Sequence, residues 1–183
     1  MEVEGAQGLV PVKYDRTEVF PINAGNAIGK GDLCTLLTNG YVGRHINDAN
    51  RGARGLGVCL TPTRSTVVGG EDITVITDPD AIYDVKTDGT KYLVTDAGKY
   101  CRFIQDPATA GPITGGGISV GYADLENAQD TPGDEEFEDY DEARLKIIGL
   151  SNRVNNDNTW IRVKIWAPTF GDTLDETVAS KGA

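Results

Sequence analysis

The chain has 183 residues, enough for one domain with an apolar core, and a net charge of −11 that is placed unevenly. Between Asp124 and Glu142 lie ten acidic residues and no basic one, which leaves 18 acidic against 17 basic residues elsewhere and disfavours direct contact with nucleic-acid phosphates. No run approaches the roughly eighteen apolar residues of a membrane span, and the odd set Cys34, Cys59 and Cys101, without CxxC spacing, indicates neither a disulfide framework nor a zinc site.

With 23 glycines, a single methionine and apolar runs filled by Thr, Val, Ile and Tyr, the composition points to strands and turns. The expected fold is all-β: a compact β-barrel or β-sandwich-like domain built from hairpins. Residues 1–18 read as an N-terminal arm with a short apolar patch, Leu9-Val10-Pro11-Val12, and 19–167 as the β-domain, with an acidic loop insertion at 124–142. Residues 168–183 read as a polar C-terminal tail. The first residues lack the basic and apolar regions of a signal peptide, so synthesis in the cytoplasm is expected.

Val19-Phe20-Pro21-Ile22 reads as a short edge segment, because proline removes a ladder donor. A glycine-punctuated turn follows (Gly25, Gly29, Gly31), then an apolar strand at Leu33–Leu37. A tight primed turn at Asn39-Gly40 should return the chain through Tyr41–Ile46, and Gly55–Leu60 reads as a third strand. The intervening loop is basic, with Arg51 and Arg54 joining Arg44. Glu71–Thr77 and Ala81–Lys86 read as strands broken by Asp78-Pro79-Asp80. Gly89–Ile104 looks like a second hairpin, with weak identity to Gly31–Ile46, and Ile118–Tyr122 reads as a strand after a Pro- and Gly-rich loop. Arg144–Leu150 and Thr159–Trp166 read as strands joined by a polar loop. In the second of these, Ile161, Val163 and Ile165 face one way and Trp160, Arg162, Lys164 and Trp166 the other.

Motifs for chemistry are poor. Gly117-Ile118-Ser119-Val120-Gly121 matches the GxSxG nucleophile-elbow pattern, but the only histidine, His45, lies upstream of Ser119 rather than after it, and an acidic stretch follows in place of a helix. Gly25–Asp32 fails the phosphate-loop spacing, since three residues separate Gly25 from Gly29 and Gly31 stands where a hydroxyl should hold magnesium. Neither Asp78-Pro79-Asp80 nor Asp134–Glu142 has EF-hand spacing. No catalytic residue, metal ligand or cofactor is assigned, and the chain is expected to work by contact and not as an enzyme.

The residues from Ala24 to Leu60 resemble those of tailed-phage head decoration, or capsid cement, proteins. The resemblance rests on Ala24, Gly25, Ile28, Gly31, Asp32 and Leu33, then Asn39-Gly40, then Leu56-Gly57-Val58. The segments from Ile76 to Val85 and from Lys146 to Ile165 are similar to those of virion structural proteins. The resemblance implies a β-domain on the outer face of a phage head, bound to the major capsid protein, cementing neighbouring subunits and often trimeric. It implies a virion location and no catalytic residues; no direct binding of nucleic acid or membrane is expected, from the acidic charge and the lack of a long apolar run. Contact residues are expected on the arms, the basic loop and the last strand: Leu9, Val10, Val12, Tyr14, Arg44, Arg51, Arg54, Trp160, Trp166 and Phe170. The competing readings are a tail, vertex or head-fibre component, and a small serine hydrolase using Ser119.

Overall fold

The computed structural model describes residues 3–23, 28–37, 39–45, 54–63, 69–105, 117–130 and 144–166. Eleven strands are present among them: β1 (Val10–Lys13), β2 (Thr17–Pro21), β3 (Leu33–Leu36), β4 (Val42–Arg44), β5 (Arg54–Cys59), β6 (Asp72–Ile76), β7 (Ile82–Lys86), β8 (Tyr100–Ile104), β9 (Tyr122–Gln129), β10 (Arg144–Leu150) and β11 (Trp160–Ile165). A 3₁₀ turn at Val94–Asp96 is the one helical element among the described residues. The fold is all-β, as the composition indicated.

The strands form a six-stranded sheet ordered β1-β7-β11-β10-β8-β9 and a five-stranded sheet ordered β2-β6-β5-β3-β4, every strand pair antiparallel. Both sheets curl. A parallel bridge from Ile22 to Val42 joins the two margins of the smaller sheet, and one from Thr87 to Ala123 ties β7 to β9 across the larger. Each sheet is thereby a partly closed barrel, which follows from the strong twist of short strands and leaves less unpaired edge.

Two apolar cores result. The larger gathers Tyr83, Val85, Cys101, Phe103, Leu145, Ile147, Ile161 and Val163 from the six-stranded sheet, and Leu33, Val58 and Ile76 from one face of the smaller sheet. The other face of the smaller sheet builds the second core from Ile22, Ile28, Cys34, Val42, Leu56, Cys59, Ile73 and Val75. The smaller sheet is thus buried on both faces; within it, Gly57 lets β5 approach β6 closely, since a Cβ there would collide with the Ile76 carbonyl.

Several expectations hold. The β3–β4 hairpin and the β5 strand beside it match the reading of Leu33–Leu60, and the face containing Ile161 and Val163 is buried. All three cysteines are free and buried. Others need correction. The Asn39-Gly40 turn is not of the primed type, because Gly40 takes φ 82° while Asn39 keeps a negative φ; the Gly40 N–H donates to the Leu37 carbonyl. The arm at 1–18 is, from Leu9 onward, part of the domain: Leu9 is fully buried and β1 pairs with β7, since Leu9-Val10-Pro11-Val12 has a sheet edge to join. Gly89–Ile104 is not a hairpin. Lys91–Leu93 make no strand, and β8 pairs with β9 and β10 instead. The strand expected at Ile118–Tyr122 begins only at Tyr122 and runs to Gln129, so Asp124 belongs to β9 and not to an acidic loop, held by Arg102 at 2.7 Å. Residues 131–143 and 167–183 lie outside the described residues.

Candidate interaction surface

The ten expected contact residues do not form one patch. Leu9 and Arg44 are corrections, because both are buried. Leu9 fills the larger core, and its N–H donates to the Gly31 carbonyl at 2.9 Å. Arg44 alternates inward from β4 onto Asp32, Nε to Oδ2 3.1 Å. Arg51 and Phe170 lie outside the described residues; Arg54 begins β5, and its side chain is likewise outside them.

Trp160 and Trp166 are half-buried at opposite ends of β11. The Arg153 guanidinium lies 3.7 Å from the centroid of the Trp160 ring, and Trp166 meets Tyr100 edge-on with centroids 5.9 Å apart. Both indoles are therefore engaged within the chain, Trp160 in the cation–π manner. Val10 is half-buried, whereas Val12 and Tyr14 are exposed on the β1 edge. Of the ten, these two offer apolar surface to a partner, and Val19 on β2, 63% exposed, continues it.

The Asp32–Arg44 pair belongs to a polar seam that the motif reading missed. Asp32 Oδ2 accepts the Gly29 N–H at 2.7 Å as well as the Arg44 Nε–H. Burial pushes the Asp32 carboxyl up from its ordinary range, while Arg44, Ser119 and the Gly29 N–H pull the other way. Ser119 is buried beside it, and its Oγ accepts the Gly121 N–H at 3.1 Å. His45 faces elsewhere, its Nδ1 2.8 Å from Thr35 Oγ1. The GxSxG glycines have structural reasons: Gly117 takes φ 77°, and a Cβ on Gly121 would enter the Phe103 ring. Backbone bonds from Lys30 to Gly117, from Ser119 to Lys30 and from Gly8 to Gly121 stitch this segment to the opening turn and to the N-terminal strand. The signal was present in Gly29-x-x-Asp32, a side chain able to cap its own preceding turn.

Comparison of the chain with known protein families, curated proteins and solved structures found no match. A cavity of about 10 Å³, lined by Leu56, Ile76, Pro79, Tyr83 and Ile165 among others, lies between the sheets. It has room for about one water, so it is packing space and not a ligand site. No group of three or more His, Cys, Asp or Glu stands close enough to hold a metal ion among the described residues. Among the described residues, the end strands of the two sheets and exposed aliphatic side chains such as Val12 and Val19 offer surface to a partner.

Proposed function

We propose that this chain is a decoration protein of a tailed-phage head, binding the outer surface of the capsid and cementing neighbouring capsid subunits. The observation that carries the reading is the residue order of the opening stretch. Of the residues that resemble capsid cement proteins, Asp32 and Leu33 lead into β3, Asn39-Gly40 join β3 to β4, and Leu56-Gly57-Val58 lie in β5, three neighbouring strands of the smaller sheet. A doubly buried sheet of that kind supports a stiff module. On a repeating lattice, many modest contacts by stiff modules add through multivalency, so each copy needs no deep pocket or cofactor.

The test is assembly with and without the protein. Particles built from the corresponding major capsid protein should bind the purified chain in a fixed ratio to capsid subunits, in hundreds of copies per head. Heads assembled without it should disrupt at lower temperature. Absence of binding, or unchanged head stability at full occupancy, would overturn the proposal; a few copies per particle would favour a vertex or tail role.

A further inference from the structure

Along its outer margin the domain carries one continuous segment, Val10–Pro21. β1 lies on β7 and β2 on β6, and because β6 and β7 follow one another, the segment runs antiparallel to Asp72–Asp84 for its whole length. It bends once, at Tyr14–Arg16. There the Asp15 N–H donates to Asp78 Oδ2 at 2.7 Å and the Arg16 guanidinium donates to the Thr77 carbonyl at 2.6 Å. β1 ends one sheet and β2 ends the other; β4 meets the last residues of β2 through the Ile22–Val42 bridge, and ahead of that bridge no strand pairs with the far side of either β1 or β2 among the described residues. The Thr77 N–H to Arg16 carbonyl bond and the Ile22 N–H to Glu71 carbonyl bond turn the backbone groups of the even-numbered residues of β2 inward. By the two-residue alternation, Thr17 and Val19 direct their backbone groups outward, as does Pro21, which has no N–H. This margin carries three exposed large apolar side chains: Val12 (45%), Tyr14 (42%) and Val19 (63%).

The segment is complementary to itself read backwards. Written VPVKYD followed by RTEVFP, it sets Asp15 against Arg16, Tyr14 against Thr17, Lys13 against Glu18, Val12 against Val19, and Pro11 against Phe20 when two copies lie antiparallel about a two-fold axis between residues 15 and 16. Each charge meets its opposite, and the two exposed valines meet each other. Cross-strand pairs of these kinds stabilise a sheet, whereas like charges directly opposite oppose it. We propose that a second copy of this chain docks here: β1 of one protomer pairs with β2 of its partner on both sides of the axis, so that each six-stranded sheet continues into the partner's five-stranded sheet. Such an interface is isologous and closed. Pro11 and Pro21, near the two ends of the segment, limit the ladder to this length and discourage open-ended strand addition. The inference concerns the free chain and does not rest on the capsid reading.

Charge reversal tests the register. The full chain should sediment as a monomer–dimer equilibrium. Lys13→Glu sets a carboxylate against Glu18 twice per dimer, and Glu18→Lys sets an ammonium against Lys13 twice, so each variant alone should dimerise about tenfold or more weakly. Mixed in equal amounts, the two should associate as a heterodimer more tightly than either variant does alone, since one of its two contacts is then the native charge pair and the other the same pair reversed. Val12→Cys mixed with Val19→Cys should give an interchain disulfide under mild oxidation that neither variant gives alone. Circular dichroism of the single variants checks that each is folded. A wild-type chain that stays monomeric at millimolar concentration, a trimer indifferent to both reversals, or a mixture no better than its components would overturn the proposal.

Discussion

The two cores solve the same problem with different chemistry. The larger core, between the sheets, is filled by residues whose alternation is plain along the strand: Ile161 and Val163 on β11, Leu145 and Ile147 on β10, Cys101 and Phe103 on β8. The second core lies inside the curl of the smaller sheet. It uses smaller side chains, two of them thiols, and it adjoins a buried ion pair, Asp32–Arg44, and a seam of close backbone contacts through Gly8, Gly31 and Ser119. At Gly8, with φ 66°, a Cβ would lie 2.5 Å from the Gly31 carbonyl oxygen. A core of large aliphatic groups tolerates changes of shape at modest cost. A seam of buried charges and glycines does not, because its cost is set by unpaired charge and by backbone collision, neither of which repacking relieves.

The sharpest break in that comparison is Arg44→Met. It leaves Asp32 buried with the Gly29 N–H still in place but without its guanidinium partner, at a cost of about 3–5 kcal/mol. The double variant Asp32→Leu/Arg44→Met removes both charges and should recover much of that loss, because a buried ion pair gains little over apolar residues of similar size. Urea titration of the two variants measures the difference. Should the double variant be as unstable as Arg44→Met alone, the pair would matter for its geometry, through the Gly29 cap, and not for its charge balance.

Legibility in the sequence divides along the same line. Period-two patterning made β3, β6, β7, β10 and β11 readable, since one face of each strand is apolar and the turn residues beside them are explicit. It failed where tertiary contacts decide. Leu9-Val10-Pro11-Val12 has too few residues to announce a strand, and becomes one because β7 offers an edge. Lys91-Tyr92-Leu93-Val94 has the composition of a strand but leads into a 3₁₀ turn, where the Leu93 N–H donates to Asp96 Oδ2 and leaves Leu93 and Val94 exposed. Asp124 looked like the start of an acidic run; Arg102, opposite it on β8, makes it a strand residue. Of the expected contact residues, Val12 and Tyr14 are exposed. Arg44 was misread because an arginine beside a basic loop carries no sequence mark of a carboxylate twelve residues upstream.

The three thiols sharpen the contrast without disturbing either core. Cys34 and Cys59 lie in the second core and Cys101 in the larger. Burial raises the Cys34 and Cys101 thiols well above the ordinary range, so labelling requires the core to open. The larger core joins fifteen buried residues and the second eight among the described residues, so the second should open at lower free energy. With iodoacetamide in excess at pH 8 and mass spectrometry to resolve sites, Cys34 and Cys59 should label about tenfold faster than Cys101, equivalent to about 1.4 kcal/mol. Equal rates at all three sites would mean that the two cores open as one unit, and the division between them would have no energetic content.

The smallest expected effect lies at the bend linking the two sheets, and pH reads it. Asp78 accepts the N–H of Asp15 and of Asp80, and these bonds hold its carboxyl below the usual carboxylate range, helped by Arg16 and Lys13. A carboxyl whose folded pKa is lowered stabilises the fold fully above its unfolded value near 3.8, and loses that contribution as pH falls through the folded value. Asp32 has the opposite sign. Its raised pKa makes its contribution complete below 3.8 and lost as pH rises through the folded value. Acidification should therefore loosen the bend at Tyr14–Arg16 while easing the strain of the buried carboxylate in the seam. Asp78→Asn keeps one acceptor oxygen and should cost below about 1 kcal/mol at pH 7, the bonds being exposed. The gap in Tm between wild type and this variant should close as pH falls below 3.8. A gap of constant size from a pH of about 7 down to the onset of acid unfolding would show that the Asp78 charge contributes nothing and that the loss lies in the acceptor oxygen removed by Asp78→Asn.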